Sequence, residues 1–256
     1  MASILWGAKS GFSELFMTET WAGVAEFIGQ LLGRGTELTP AFLDFVSWRD
    51  ALWLSLDTIG MSVLAIGFAA LAVLFTFLPA PRNVAFGEFS GSRSALGGVG
   101  FCFMRGVFLF TRGVPELSRA MLIVFVFSPG ILPGAIALGL HNYGILGKLS
   151  AEVVEDLDPR PARALRTDGA SNLQMPLYGV LPQVLPQSLS YTLYRWEVVI
   201  RTTIVVGFVA ARGLGREFRL GMSFFRYDKV MLLLMCYLLL VLGVDLIAAW
   251  LMRLVR

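Results

Sequence analysis

Ionisable residues inside apolar sequence are the first candidates for chemistry, because a charge at membrane depth is costly and usually marks a pathway or a buried pair. Arg195, Glu197 and Arg201 fall in the run Tyr191-Thr192-Leu193-Tyr194-Arg195-Trp196-Glu197-Val198-Val199-Ile200-Arg201. Glu197 and Arg201 have the i,i+4 spacing of an ion pair on one helical face. That arrangement supports two readings: a pair that steadies a helix near an interface, or a cation-lined lumen for an anion, because one arginine is left over whichever partner Glu197 takes. Arg105 and Arg119 stand in other apolar runs, where they add to an anion-favouring field or, the expected outcome, snorkel to the interface. His141, the single histidine, reads as an interface-level hydrogen bonder ahead of a substrate ligand.

Other chemistries are poorly supplied. One histidine and no Cys or Asp/Glu cluster at metal spacing support neither a metal site nor a catalytic triad. Cys102 and Cys236 lie in separate apolar stretches and read as small core hydrophobes. The nearest approach to a phosphate-gripping loop, Gly144 to Lys148, has the wrong glycine spacing and continues into Leu149. No catalytic residue, metal or directly bound cofactor is expected, and any use of ATP requires a partner chain.

The elements that must position these residues follow from composition. Hydrophobic residues make up 56% of the 256 and charged residues 15%, against roughly 25% charged in a soluble domain. Mean hydropathy is +0.72, and the net charge of +3 is too small to suggest nucleic-acid binding. A spanning helix needs about 20 mostly apolar residues, because hydrocarbon offers the backbone no partners. Five segments meet the requirement. They are Ala51 to Leu78, stopped by Pro79 and Pro81; Ala95 to Phe110, interrupted by Arg105; Leu117 to Leu140; Pro186 to Ala211; and Val230 to Met252, the most continuous. Pro129, Gly130, Pro133 and Gly134 predict a kink or break in the third.

In the first 50 residues, Trp21, Val24, Ala25, Ile28, Leu31 and Leu32 recur at helical spacing with Glu26 and Gln30 on the other face. That predicts an interfacial helix rather than a sixth span, since Glu14, Glu19 and Glu26 break the apolar run. Met1 to Ser10 lacks a signal-peptide pattern, so insertion is expected to rely on internal spans. The chain thus divides into an N-terminal amphipathic segment, 1–50, and a transmembrane unit, 51–256.

Between the third and fourth spans lies a stretch of different composition, Gly147 to Gln183. Glu152, Glu155, Asp156 and Asp158 precede Pro159 and Pro161, and then Arg160, Arg163 and Arg166 alternate with Ala162, Ala164 and Leu165 before Gly169. A short amphipathic helix, a glycine break and a second short helix ending near Pro182 are expected outside the bilayer as a docking surface.

Gly169 and Leu181-Pro182 stand at the spacing of an EAA-type signature, a glycine, nine residues and then I-x-L-P. Val114-Pro115-Glu116-Leu117, Gly144-Ile145-Leu146-Gly147-Lys148-Leu149, Ala164-Leu165-Arg166, Gly169-Ala170-Ser171, Tyr178 to Pro186 and Ser190 to Arg195 follow in order. Over about Gly113 to Gly215 the chain resembles the permease subunits of binding-protein-dependent ABC importers, most closely the phosphonate-import branch. The resemblance implies an all-α polytopic protein of the inner membrane with a type I ABC importer permease fold, about five transmembrane helices and an N-terminal interfacial helix. It implies a cytoplasmic coupling loop over about 150–183, with a coupling helix at about Arg163 to Met175. There Arg163, Ala164, Leu165, Arg166, Gly169, Ala170, Ser171, Leu181 and Pro182 would meet an ATPase subunit that holds ATP and Mg.

A second permease chain, identical or not, and an extracytoplasmic phosphonate-binding protein complete the implied assembly. The cargo would be phosphonate or a related phosphorus oxyanion, with Arg195, Glu197, Arg201 and His141 along its path. Another small solute in the same class, or an ion-coupled transporter or channel built on Arg195, Glu197 and Arg201, are the alternatives. Arg163 stands where the pattern has Glu and Gly179 where it has Ile, while Ala210 to Gly213 replaces a glycine-richer run. A cytoplasmic loop puts the N-terminus outside, the C-terminus inside, and Arg212, Arg216, Arg219, Arg226 and Lys229 outside. That basic cluster runs against the positive-inside rule and is expected to attract an anionic ligand or an acidic docking face.

Overall fold

Helices start and stop here where backbone donors run out or find substitutes. The computed structural model describes residues 16–35, 39–76, 79–87, 95–171, 174–209 and 212–255. In chain order these form α1 (Thr18–Leu31), a 3₁₀ turn (Ala41–Leu43), α2 (Phe45–Thr76), the single turn α3 (Arg82–Ala85) and α4 (Ala95–Gly113). Then come α5 (Glu116–Val126), α6 (Ile131–Glu155), α7 (Arg160–Thr167), a π-helical segment (Met175–Val180), α8 (Leu181–Gly207), α9 (Leu214–Ser223) and α10 (Tyr227–Val255). Ahead of α2, the Asp44 carboxylate accepts from the Ser47 hydroxyl at 2.8 Å and the Ser47 amide at 2.9 Å, which supplies one of the helix's first donors with an acceptor. These bonds from Ser47 hold the Asp44 carboxyl below its ordinary range.

α2 and α10, of 32 and 29 residues, are each long and apolar enough to cross a membrane. Their outward faces carry exposed Trp53, Leu56, Phe68, Leu239, Leu242 and Leu246, the inverse of a soluble surface. α4, α6 and α8 span 19, 25 and 27 residues and supply the other long elements. The expected break in the third span falls at Phe127–Gly130, which separates α5 from α6. Pro129 cannot donate a backbone bond there, and Phe127 has left the helix for an extended conformation. α6 then runs on to Glu155, well past Leu140, because Leu146, Ser150, Ala151, Val153 and Val154 keep one face buried. The stretch between the long helices is correspondingly shorter than the sequence suggests.

α6 is the central post. Gly144 lets α4 approach closely: a Cβ there would stand 2.8 Å from the Phe108 carbonyl oxygen and 2.9 Å from the Arg112 nitrogen. One apolar core surrounds Met61, Ala65, Phe108, Leu138, Leu146 and Val154 where α2, α4, α6 and α8 meet. A second gathers Ala51, Ile200, Leu214, Leu232, Leu233 and Cys236 where α2, α8, α9 and α10 meet. Cys236 is in that core as expected, but Cys102 is exposed. The outer face of a helix in an apolar solvent accommodates a thiol as readily as a core does, so hydropathy alone could not separate the two cysteines.

α1 has 14 residues, which at about 1.5 Å each falls short of a roughly 30 Å hydrocarbon layer. Its apolar Trp21, Val24, Phe27 and Ile28 are exposed, and it touches α10 through the Phe27 and Tyr227 rings, whose centroids are 5.2 Å apart.

Candidate functional site

Two groups of charged residues lie on different sides of α8. The first forms where α5, α6 and α8 converge below the end of α4. Arg195 donates from Nε and Nη2 to the Asn142 side-chain oxygen at 3.0 and 2.8 Å. Asn142 is 0% exposed and is itself anchored by an Nδ2 donation to the Leu138 carbonyl at 2.8 Å. Arg119, 9% exposed, donates from Nη2 to the Thr111 carbonyl and, at 3.0 Å, to the Val114 carbonyl. These oxygens are at and just past the C-terminal end of α4, where a helix leaves its last carbonyls without intrahelical donors and its dipole favours a cation. Arg119 therefore caps α4 instead of snorkelling.

Glu116, in the first turn of α5, acts electrostatically on both Arg119 and Arg195. His141 precedes Asn142 on α6, lies against the Val114 carbonyl and is subject to the same two arginines. Two buried nitrogens in this group, Arg119 Nη1 and His141 Nδ1, have no hydrogen-bond partner. With the histidine neutral, two arginines and one glutamate leave one positive charge.

The second group joins α8 to α10. Arg201 Nη2 donates to Asp245 Oδ2 at 2.7 Å, with about half of the arginine side chain and a third of the aspartate exposed. Glu197 acts on both members, and the Tyr237 hydroxyl donates to the Arg201 carbonyl at 3.4 Å. The expected Glu197–Arg201 pair is thus replaced by Arg201–Asp245. An aspartate on a facing helix can meet the guanidinium end-on, while the i,i+4 neighbour only shares the local field. Two acids and one arginine leave this group one negative charge. Arg195 and Arg201 are six positions apart, a rotation of about 240° around the helix, so sequence proximity does not bring them together. Of the expected pathway residues, Arg195 and His141 share one site, and Glu197 and Arg201 share another.

At the other end of α6, Arg105 pairs with Glu155 at 2.5 Å rather than snorkelling, and Glu155 also accepts from the Arg82 amide at 2.7 Å. Asn83 adds bonds to the Val154 and Glu155 carbonyls at 3.2 and 2.9 Å. This knot stands directly before α7. α7 ends earlier than expected, at Thr167 and not near Met175, in a motif where Gly169 takes φ +89°. There the Gly169 amide donates to the Arg166 carbonyl at 3.0 Å and the Ala170 amide to the Leu165 carbonyl at 3.1 Å, which satisfies the orphaned helix-end acceptors.

Ala162 and Leu165 turn inward onto Gly179, where a Cβ would stand 3.3 Å from Ala162 Cα and 3.0 Å from Leu165 Cδ1. The glycine at 179 is thus explained by close packing. Arg163, Ala164 and Arg166 face outward. Gln174 and Ser171 exchange bonds at 3.0 and 3.3 Å, opening the π segment that passes without a break into α8, with Pro182 in its first turn. The second short helix expected to end near Pro182 is therefore the beginning of α8.

Sequence reasoning missed Glu116, Asn142 and Asp245 as site members. Signals existed: Glu116 follows Pro115 and stands i,i+3 from Arg119, and Asn142 interrupts an apolar run beside His141. Nothing local marks Asp245 as the partner of Arg201.

Residues 83–256 match the family described as binding-protein-dependent transport system inner membrane component. The chain belongs to this family. It is an inner-membrane permease subunit of an ABC importer, and the sequence resemblance to that class holds. The permease is 35% identical over 211 residues to the phosphite transport system permease protein PtxC of Stutzerimonas stutzeri, covering 82% of this chain and 72% of that protein. It is 31% identical over 192 residues to the phosphate-import permease protein PhnE of Mycolicibacterium smegmatis, covering 75% of this chain and 36% of that protein. Among solved structures, an inward-facing MetNI methionine ABC transporter superposes with a TM-score of 0.65 at 14% identity, over 80% of the permease and 96% of that chain. At that identity the likeness concerns the fold, and it agrees with the type I importer arrangement of the permease's helices.

Proposed function

We propose that the permease moves a small phosphorus oxyanion, a phosphonate, phosphite or phosphate, into the cytoplasm, and that the Arg119–His141–Arg195 group is a station on its path. The observation that carries this reading is that two guanidinium groups, those of Arg119 and Arg195, both act on Glu116 and His141 in a half-buried site with one net positive charge. Arg195 already grips an oxygen, that of Asn142, with two donors, the fork geometry that suits carboxylate and phosphate oxygens. The names of the two relatives above point to the same cargo class. One net charge, partly balanced by Glu116, gives a weak site that a transported ion can leave.

The outward-facing Arg163, Ala164 and Arg166 of α7, with Gly169, Ala170 and Ser171 at its end, dock on an ATPase subunit that binds ATP and Mg. Displacement of α7 passes through its contact with Gly179 into α8, whose continuous helix starts at Leu181-Pro182 and carries Arg195. A push at the coupling end therefore reaches the anion station mechanically. A phosphonate-type binding protein docks at the opposite end, where Arg212 pairs with Asp57 at 3.0 Å and Lys229 with Glu217 at 2.9 Å, leaving Arg216, Arg219 and Arg226 to supply the positive field. A second permease chain covers the exposed apolar face of α5 that carries Leu122 and Phe125. α1 lies along the lipid interface on its apolar side.

The test is ATP hydrolysis by the permease co-purified with its ATPase in lipid discs, with binding protein loaded with methylphosphonate, phosphite or phosphate. Stimulation confined to one or more of these is expected. Absence of a stable ATPase complex, or equal response to the unloaded binding protein, would overturn the reading.

A further inference from the structure

α2 and α10 begin at the same end of the molecule, since Asp228 in the first turn of α10 accepts at 3.2 Å from the Ala41 amide, just ahead of α2. The other end of α2 leads to α3, whose Arg82 amide donates to Glu155 close before α7, so the shared start lies away from the coupling loop. Running parallel, the two helices leave a groove of about 460 Å³ between them. It extends from Arg49 to Ile59 on α2 and from Cys236 to Ile247 on α10, about 15 Å along each helix. Leu56, Ile59, Leu240 and Val244 make its wall apolar. Ser55, also in the wall, spends its hydroxyl on the Ala51 carbonyl at 2.9 Å. Gly243 keeps the groove open, because a Cβ there would meet nothing within 4 Å.

Arg49 is the charged member of this lining. It stands directly before the apolar run that begins at Ala51, at the level where hydrocarbon gives way to headgroups, and Trp53 is exposed one turn further in, as interfacial tryptophans are. The Arg49 side chain is exposed, and its one ion pair among the described residues, to Asp50 at 3.6 Å, is too long for a hydrogen bond, so the guanidinium donors are open. An empty groove in a bilayer is unfavourable, because its lining forgoes the dispersion contacts that a filled one makes. A helix of the same length, about 10 Å across, would occupy on the order of 1,200 Å³, so a helix does not fit inside, whereas a single acyl chain does.

We propose that the α2–α10 groove is a phospholipid site: one acyl chain lies along Leu56, Ile59, Leu240 and Val244, and the headgroup phosphate accepts from Arg49 in the leaflet opposite α7. The apolar wall and the open cation then each meet a partner of the right chemistry, joined in one molecule. The bound lipid braces α10 against α2. Asp245, which holds Arg201, is on the same stretch of α10, between the lining residues Val244 and Ile247. The site therefore sits behind the α8–α10 pair and apart from the α5–α6–α8 group.

Native mass spectrometry of the full-length permease with its partner chains, stripped of lipid and titrated with dioleoyl phosphatidylglycerol or dioleoylglycerol, reads the tightest lipid site. The two probes share their chains and differ in the phosphate. Wild type should bind phosphatidylglycerol about tenfold more tightly, the gain expected for a charge-assisted hydrogen bond. Arg49→Ala should abolish that preference. Gly243→Leu places a side chain in the groove and should weaken both lipids about tenfold, as apolar contact with the chain is lost. Gly67→Leu, which adds the same bulk at an open position of α2 outside the groove, should change neither. Unaltered lipid binding in Gly243→Leu, or a preference for the phosphate that survives in Arg49→Ala, would overturn the proposal.

Should Gly243→Leu fail to assemble, a photoreactive benzophenone side chain in place of Leu56, an exposed residue of the groove, decides the matter. Illumination of the complete importer in lipid discs should give an adduct with the added mass of one phospholipid. An adduct with a second permease chain, or no adduct, would overturn the assignment, the first because the groove would then be an interface between proteins.

Discussion

The α5–α6–α8 group and the α8–α10 group have similar ingredients and opposite designs. In the first, the arginines are spent on neutral oxygens, the Thr111 and Val114 carbonyls and the Asn142 amide, so their charge stays uncompensated except by Glu116. In the second, Arg201 is held at 2.7 Å by a carboxylate, with another acid beside it, and the pair is partly exposed. Counting arginines does not distinguish a pathway from a brace. What distinguishes them is where the donors point and whether the partner is charged.

The difference can be broken most completely at Gly144. Gly144→Leu would force side-chain atoms into the Phe108 and Arg112 backbone, separating α4 from α6 and with them the carbonyls that hold Arg119. Overpacking of this kind costs about 1–3 kcal/mol or more. We expect loss of the folded complex, read as yield and melting temperature, while Gly243→Leu, at a position with open space on α10 near the second group, should fold normally.

The next effect sharpens the comparison directly. Arg195→Ala should reduce oxyanion uptake about 100-fold, as expected when a charge-assisted contact of about 2–3 kcal/mol is lost. Arg201→Ala should reduce it only a few-fold and act mainly on stability. Equal losses in uptake at equal assembly would erase the distinction between the two groups.

A smaller effect is expected at the far end of α6. Arg105→Ala strips Glu155 of its cation, but the pair is about a quarter exposed and Glu155 keeps the Arg82 amide, so a loss of about 1 kcal/mol is reasonable. Thermal melting and ATPase co-purification would register it, with Arg105→Lys as partial rescue.

The smallest effect lies outside both groups. The Asp44 carboxyl is held low in the folded state, so its contribution is present above the ordinary carboxylate range and fades as pH falls through the lowered value. Protection of the α2 N-terminal amides against hydrogen exchange, taken relative to the intrinsic rate at each pH, should therefore fall in acid in the wild type but lose that pH dependence in Asp44→Asn, with no change in either charged group. A shift in uptake from this variant would mean that α2 couples to the site more closely than its packing suggests.

Much of the fold was legible because its signals are local. Five apolar segments, the Pro129–Gly130 break and the Gly169 turn each follow from residue types over a few positions, and each has its counterpart in α2 to α10. Boundaries were less legible. α6 outran its apolar stretch because polar residues on one face, Lys148, Glu152 and Glu155, are compatible with a helix whose other face stays buried. Arg105 and Arg119 were expected at the interface because isolated cations normally escape there. A carboxylate on α6 and the open carbonyls of α4 gave them closer partners.

By itself, then, the amino-acid sequence determined the solvent, the helices and the coupling turn, since hydropathy, proline and glycine act over one or two turns of chain. Only the tertiary structure decided which arginine is paired and which is poised. That choice depends on atoms contributed from other helices: Asp245 reaches Arg201 across 44 residues, and Asn142 reaches Arg195 across 53. Electrostatic and hydrogen-bond energies fall steeply with distance and angle, so partners distant in sequence become chemically meaningful only once packing brings them within about 3 Å.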